Sequence, residues 1–215
     1  MLASASPSRL RLLRDAGFEP EVEVSGVSEE VGDLDTAGAV ITLAERKAGA
    51  VAERRPGALV LGCDSLLDLD GAPLGKPSAR EEALEMWRRL SGRAATLHTG
   101  HCLVDTTLTR RVSGSARTLV RFGAPSRGEL SAYVETGEPL AAAGAFTIEG
   151  FGAPFIDGID GDPSNVLGLS LPLLRRMLAE IGITITDLWR KPRPRGALAS
   201  PDIAPPASPG TPPLA

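Results

Sequence analysis

Two hydrophobic periods alternate along the chain. Leu10, Leu13 and Ala16 recur at helical spacing behind Ser6-Pro7, a helix cap followed by a proline whose missing N–H costs nothing there, and Gly17 ends the run. Ile41, Ala44, Ala48 and Val51 mark one face of a second helix over roughly Thr36–Ala52. The patterns Ser78-x-x-Glu81 and Ser126-x-x-Glu129 are capping boxes, opening helices that reach Leu90 and Tyr133-Val134. Leu173, Leu174, Met177, Leu178 and Ile181 line a last long helix over 169–181. Between these lie strand-like runs: Leu2-Ala3, cut short, then Val22-Glu23-Val24 and Leu59-Val60-Leu61-Gly62. Residues 68–71 read as a turn, and 95–104 and 116–122 as strands joined by a polar connection. Interleaved strands and helices predict an α/β protein with a mixed sheet and flanking helices.

At 215 residues and 42% hydrophobic content the chain can bury a core without staples, as one domain or two small lobes. Residues 190–215 stand apart: eight of the 18 prolines fall in these 26 residues, with little apolar period. Such a segment cannot bury enough surface to offset its ordering entropy, so the expected layout is a domain over 1–189 and a disordered proline-rich tail over 190–215. The tail carries net +3, which leaves −7 on the first 189 residues. An acidic body argues against nucleic-acid binding, which rests on neutralising phosphates with Lys and Arg. Two cysteines, Cys63 and Cys102, exclude a disulfide scaffold, and no apolar stretch has the length of a membrane span, so the expected location is cytoplasmic.

Only two lysines, Lys47 and Lys76, lie in the body, against a large excess of arginine. The segment Ser4-Ala5-Ser6-Pro7-Ser8-Arg9 joins a strand end to a helix start, where free N–H groups and the helix dipole favour phosphate; an ordinary capped helix with a surface arginine has the same sequence. Gly62-Cys63-Asp64-Ser65 places a carboxylate where an apolar strand ends, suited to metal binding or base catalysis, or simply to a turn. The pair Glu29-Glu30 suits a divalent cation or a solvated loop. Leu74-Gly75-Lys76-Pro77 sets a lysine in a turn, as a point charge for phosphate or for solubility. His98 and His101, three apart in a strand, face opposite ways, which argues against a shared metal, and Cys63 reads as a small buried hydrophobe. The glycines from Gly144 to Gly152, and those among Asp157, Asp160 and Asp162, permit close approach of a base or ribose, or form turns.

The order of these segments is more specific than any one of them. Leu-Ala-Ser-Ala-Ser-Pro, Gly62-Cys63-Asp64-Ser65, Leu74-Gly75-Lys76-Pro77, Leu90-Ser91-Gly92-Arg93, His98-Thr99-Gly100, Tyr133-Val134-Glu135-Thr136-Gly137-Glu138-Pro139-Leu140 and Gly161-Asp162-Pro163-Ser164-Asn165-Val166-Leu167-Gly168 resemble the Maf-like nucleotide pyrophosphatases over about residues 2 to 185. The resemblance implies an elongated, two-lobed α/β fold with a central cleft, related to that of inosine-triphosphate pyrophosphatases. It implies hydrolysis of a nucleoside triphosphate to the monophosphate and pyrophosphate with a divalent cation (Mg²⁺ or Mn²⁺), and a homodimer.

By the same resemblance Asp64 is the proton acceptor, and Glu29 a second essential carboxylate that shares the metal with it. Ser4, Arg9, Lys47 and Lys76 contact the phosphates, and Ser8, Ser65 and Glu149 set base preference. Ser8 departs from the arginine or bulky residue of many members, and Ser65 and Glu149 replace the threonine and glutamine of the dTTP/UTP-type branch. Glu149-Gly150-Phe151-Gly152 is closer to the 7-methyl-GTP branch, while Ser65 matches neither. Family members usually carry several residues before Leu2 that are missing here, which implies either a misassigned start codon or a weakened sheet edge. The competing function is a nucleotide-binding regulator of septum formation that works through partner contacts, with the tail as a contact segment.

Overall fold

A computed structural model of the chain describes residues 1–190; the remainder of the proline-rich tail lies outside the described residues. Five strands, β1 (Leu59–Leu69), β2 (Ala72–Leu74), β3 (Ala94–Asp105), β4 (Arg110–Phe122) and β5 (Ile156–Asp160), form one sheet in the order β2-β1-β3-β4-β5. Every pair among them is antiparallel. The mixed character expected of the sheet comes from Leu2 alone, which bridges Val22 and Leu61 in parallel. Among the described residues six α-helices accompany the sheet: α1 (Pro7–Asp15), α2 (Thr36–Ala52), α3 (Arg80–Leu90), α4 (Arg127–Glu135), the short α5 (Pro163–Val166) and α6 (Leu171–Glu180).

The long strands carry three hydrophobic clusters, one at one end and two, on opposite faces, at the other. Leu67, Leu69, Leu97, Val120 and Phe122 join Trp87 of α3 and Tyr133 of α4 at one end. At the other, Leu61, Cys63 and Leu103 join α1 and α6 on one face, while Val60, Cys102 and Val104 join Ala44, Ala48 and Val51 of α2 on the opposite face. A 13-residue strand such as β4 spans about 44 Å at 3.4 Å per residue, so the body is elongated. Between the cores, the middle of β1 and β3 carries Asp64, Ser65 and Thr99. Two lobes therefore share one sheet, with polar residues at the waist.

Several expectations hold to the residue. Helix α2 has the bounds its period predicts, and Ser126 and Glu129 close a full capping box on α4. Others need correction. β1 does not end near Gly62: it runs on to Leu69, so Asp64 and Ser65 lie in mid-strand rather than at a strand end. The polar connection read between two strands is itself the start of β4, and the 3-4 hairpin turns only over 106–109. Ser78 is not a helix cap; Ala79 occupies that position, and the Ser78 amide and hydroxyl both donate to Glu82 instead. The acidic, glycine-punctuated run after Phe155 contains β5. Arg190, grouped with the tail by composition, donates its backbone N–H to the Gly17 carbonyl and its side chain to Glu19.

Candidate active site

The site is a notch in the sheet edge. Residues Met1 to Ala3 pair with β1 near Leu61, and β2 rejoins it only at Leu67, so β1 between these points has a strand neighbour on the β3 side alone. Alternation along β1 sends Asp64 to the α2 face and Ser65 to the α1 face. Both faces therefore present polar groups to one gap.

On the α2 face the approach of helix and sheet is unusually close. Gly62 and Gly100 lie beneath α2, where an added Cβ would sit 2.3 Å from the Ala44 carbonyl oxygen and 2.0 Å from that of Val40. Without side chains at these positions, α2 descends far enough for Lys47 Nζ to donate to Asp64 Oδ1 at 2.5 Å and to Glu29 Oε1 at 2.7 Å. Asp64 is buried and Lys47 nearly so, whereas Glu29 is mostly exposed. The Lys47 hydrogen bond, then the charges of Lys47, Lys76 and Arg9, hold the Glu29 carboxyl below the usual carboxylate range against the opposing effect of burial. Lys76 follows the end of β2 and is exposed.

On the α1 face Arg9 is buried, at 8% exposure. Its Nε donates to the Gly168 carbonyl at 2.6 Å, one terminal nitrogen to Ser4 Oγ at 3.1 Å and the other to Ser65 Oγ at 2.9 Å. All three acceptors are neutral, and no carboxylate among the described residues forms an ion pair with it. Burying a guanidinium without a counter-ion is costly unless an anion completes the site. Ser65 Oγ is in turn 2.9 Å from Thr99 Oγ1. The Ser6 hydroxyl caps the first turn of α1 through Arg9 N, and Ser4 Oγ accepts from Ser6 N.

Behind Arg9, His101 is fully buried and fixes the loop that supplies the Gly168 carbonyl. Its Nδ1 lies 3.1 Å from the Thr99 carbonyl and its Nε2 accepts from the Ser170 amide at 2.9 Å, which sets the neutral tautomer with the proton on Nδ1. Burial, reinforced by the Arg9 charge, pushes the His101 pKa down to about 4. The same burial raises the Cys63 thiol to about 12, which removes it as a nucleophile and agrees with its role as a packed hydrophobe.

The structure brings Ser8 and Glu149 together, at 3.3 Å between Oγ and Oε1, and adds Arg11, which forms an ion pair with the same Oε1. Ser65 touches neither; it belongs with Arg9 and Thr99. Arg11, Thr99, Gly100 and Gly168 all shape the site without any singled-out role in the sequence. Thr99 and Gly100 had only motif membership to mark them, and a carbonyl ligand such as that of Gly168 leaves no side-chain signal.

A two-lobed α/β protein with a cationic, carboxylate-bearing notch at the waist of its sheet is thus the class that fold and site define. The chain belongs to the Maf family: the profile described as Maf-like protein matches residues 1–181. Relatives named nucleoside triphosphate pyrophosphatase include one from Streptomyces coelicolor, 59% identical over 192 residues that cover 88% of this chain and 93% of the relative. One from Streptomyces avermitilis is 56% identical with the same coverage, and one from Salinispora tropica is 52% identical over 197 residues, 89% of this chain and 87% of the relative. Among the described residues no helix is long and apolar enough to cross a membrane.

Proposed function

We propose that the chain hydrolyses nucleoside triphosphates to the nucleoside monophosphate and pyrophosphate, with Asp64 as proton acceptor. The observation that carries this reading is the Asp64–Lys47–Glu29 bridge, buried at Asp64 and open to solvent at Glu29, on one face of a strand whose other face holds Arg9 against neutral oxygens only. Lys47 fixes Asp64 through Oδ1, and Oδ2 has no hydrogen bond among the described residues, so it is free to take a proton. A water whose proton passes to Asp64 attacks the α-phosphorus; the new oxygen–phosphorus bond forms as the bridging α–β bond breaks, and pyrophosphate leaves with the bond's electron pair. Arg9, Lys76 and Ser4 bind the phosphate oxygens, and their fixed charges and dipoles stabilise the charge that grows on the leaving group.

The donor set suits a divalent cation of the kind that uses one or two carboxylates, water and substrate phosphate rather than a closed protein cage. Glu29, with one carboxylate oxygen on Lys47 and one uncommitted, would hold Mg²⁺ or Mn²⁺ beside Asp64. When bound, such an ion supplies Lewis-acid stabilisation of phosphoryl charge and lowers the pKa of a coordinated water. Base preference falls to Ser8 and Glu149 at the mouth of the notch, with Ser65 acting through Arg9. Turnover in ¹⁸O-labelled water tests the reaction: the label is expected in the monophosphate, from attack at the α-phosphorus. Label in pyrophosphate or in inorganic phosphate would contradict it.

A further inference from the structure

The segment that carries Glu149 is built around a second carboxylate. Glu138 lies in a 3₁₀ turn after α4 and points into the loop 147–152. Its Oε1 accepts from Thr147 Oγ1 at 2.5 Å and from the Gly152 amide at 2.9 Å, and its Oε2 accepts from the Phe151 amide at 3.0 Å. Thr147 Oγ1 also lies against the Glu149 carbonyl, so its single hydrogen is shared between the carboxylate and the backbone of Glu149. Burial alone would raise the Glu138 carboxyl, yet the hydrogen bonds from Thr147, Phe151 and Gly152 hold it below the usual range.

The glycines around Glu149 are shaped to this seat. Gly150 has φ +75°, and a Cβ there would lie 2.4 Å from Glu138 Oε2; a Cβ at Gly152 would lie 2.5 Å from the Tyr133 hydroxyl and 2.7 Å from the Thr147 carbonyl oxygen. The loop thus closes onto Glu138 on one side and onto Tyr133 on the other. Tyr133 belongs to a rigid wall, packed edge-to-face with Trp87 and Phe155. From this base the loop extends Glu149 to Ser8 and Arg11 of α1 and leaves Phe151 exposed beside it.

We propose that Glu138 is the positioning residue for base recognition: it fixes the 147–152 loop so that Glu149 meets α1 in one geometry. The proposal rests on the reading of Glu149 as a base contact, and it assigns to Glu138 no contact with substrate. Replacing the carboxylate by an amide puts an NH₂ donor against at least one of the three donors it now accepts from, so Glu138→Gln keeps the volume and breaks the seat. Glu138→Asp keeps the charge and tests whether a shorter arm restores it.

The test compares wild type, Glu138→Gln, Glu138→Asp and Glu149→Gln in pyrophosphate release across nucleoside triphosphates that differ only in base. Glu138→Gln is expected to raise KM for the best base about tenfold or more with a small change in kcat, to compress the ratio of best to worst base, and to add little in the Glu149→Gln background. Glu138→Asp recovers part of the ratio. An equal loss for every base, or a base ranking unchanged in Glu138→Gln, overturns the proposal. The NMR shift of the Arg11 side-chain Nε–H is read alongside without substrate: Glu138→Gln is expected to move it toward the value of Glu149→Gln, and an unmoved signal overturns the proposal. A wild-type protein that turns over no nucleotide defeats the pyrophosphatase reading, while the Arg11 signal still decides what Glu138 holds.

Discussion

Gly100 stands directly across from Asp64 in the β1–β3 ladder, and the Val40 carbonyl of α2 occupies the space a side chain at Gly100 would need. The reach of Lys47 to Asp64 depends on that bare strand position. A Cβ at 2.0 Å from a backbone oxygen cannot be absorbed by a flexible side chain. Gly100→Ala is therefore expected to lift α2 and cost about 3 kcal/mol or more, at the upper end of overpacking penalties. Denaturant titration measures the cost, and turnover is expected to fall further than the loss of folded protein explains. Wild-type stability and turnover together would show that α2 does not rest on Gly100.

Lys47→Met removes the ammonium shared by Asp64 and Glu29. The Glu29 carboxyl then loses its largest lowering influence and its pKa rises, which NMR titration of the side-chain carboxyl reads directly. Turnover is expected to drop by about 100-fold or more, the usual scale for removing one preorganised charge partner.

Arg9→Lys keeps the charge and discards the fork. One ammonium cannot reproduce donation to Ser4, Ser65 and the Gly168 carbonyl from three nitrogens fixed in a plane. The expected outcome is a KM raised about tenfold and a lowered melting temperature, measured by steady-state kinetics and calorimetry.

His101 makes stability depend on acid. Its folded pKa of about 4 lies below the ordinary 6.5, so the neutral form is favoured in the native state. The contribution is fully present above pH 6.5 and is lost as pH falls through 4, with a ceiling of about 3 kcal/mol from the size of the shift. Urea midpoints between pH 7 and pH 4 should fall in wild type and fall less steeply in His101→Gln.

Much of this was readable from the chain because local signals agreed with the fold. The apolar stripe of α2 has no competitor, and Ser126 caps α4 because its own backbone is extended there. The identical Ser78 pattern failed because the extended residue is Ala79, which a side-chain pattern does not reveal. Asp64, Ser65 and Asp68 made β1 look finished, yet each finds a polar partner, in Lys47, Arg9 and Thr36 respectively, so the strand continues through them. β5 was hidden for a related reason: it pairs on one side only, and charged residues are tolerated on such edges. Of the site residues Arg9, Glu29, Lys47 and Asp64, only Asp64 lies inside one of the ordered motifs; the other three were singled out through the family resemblance, and the fold brings Glu29, Lys47 and Asp64 into contact. What the sequence did not reveal was the support behind them: the bare backbone at Gly100, the Gly168 carbonyl and the carboxylate of Glu138 beneath Glu149.

The most direct test of the central claim is pyrophosphate release from purified protein over a panel of nucleoside triphosphates, with and without Mg²⁺, beside Asp64→Asn. Release that requires Mg²⁺ and falls by about 1,000-fold or more in a folded Asp64→Asn variant is the predicted result, in the range expected for losing a general base beside a metal ion. Undiminished release in Asp64→Asn would contradict the account.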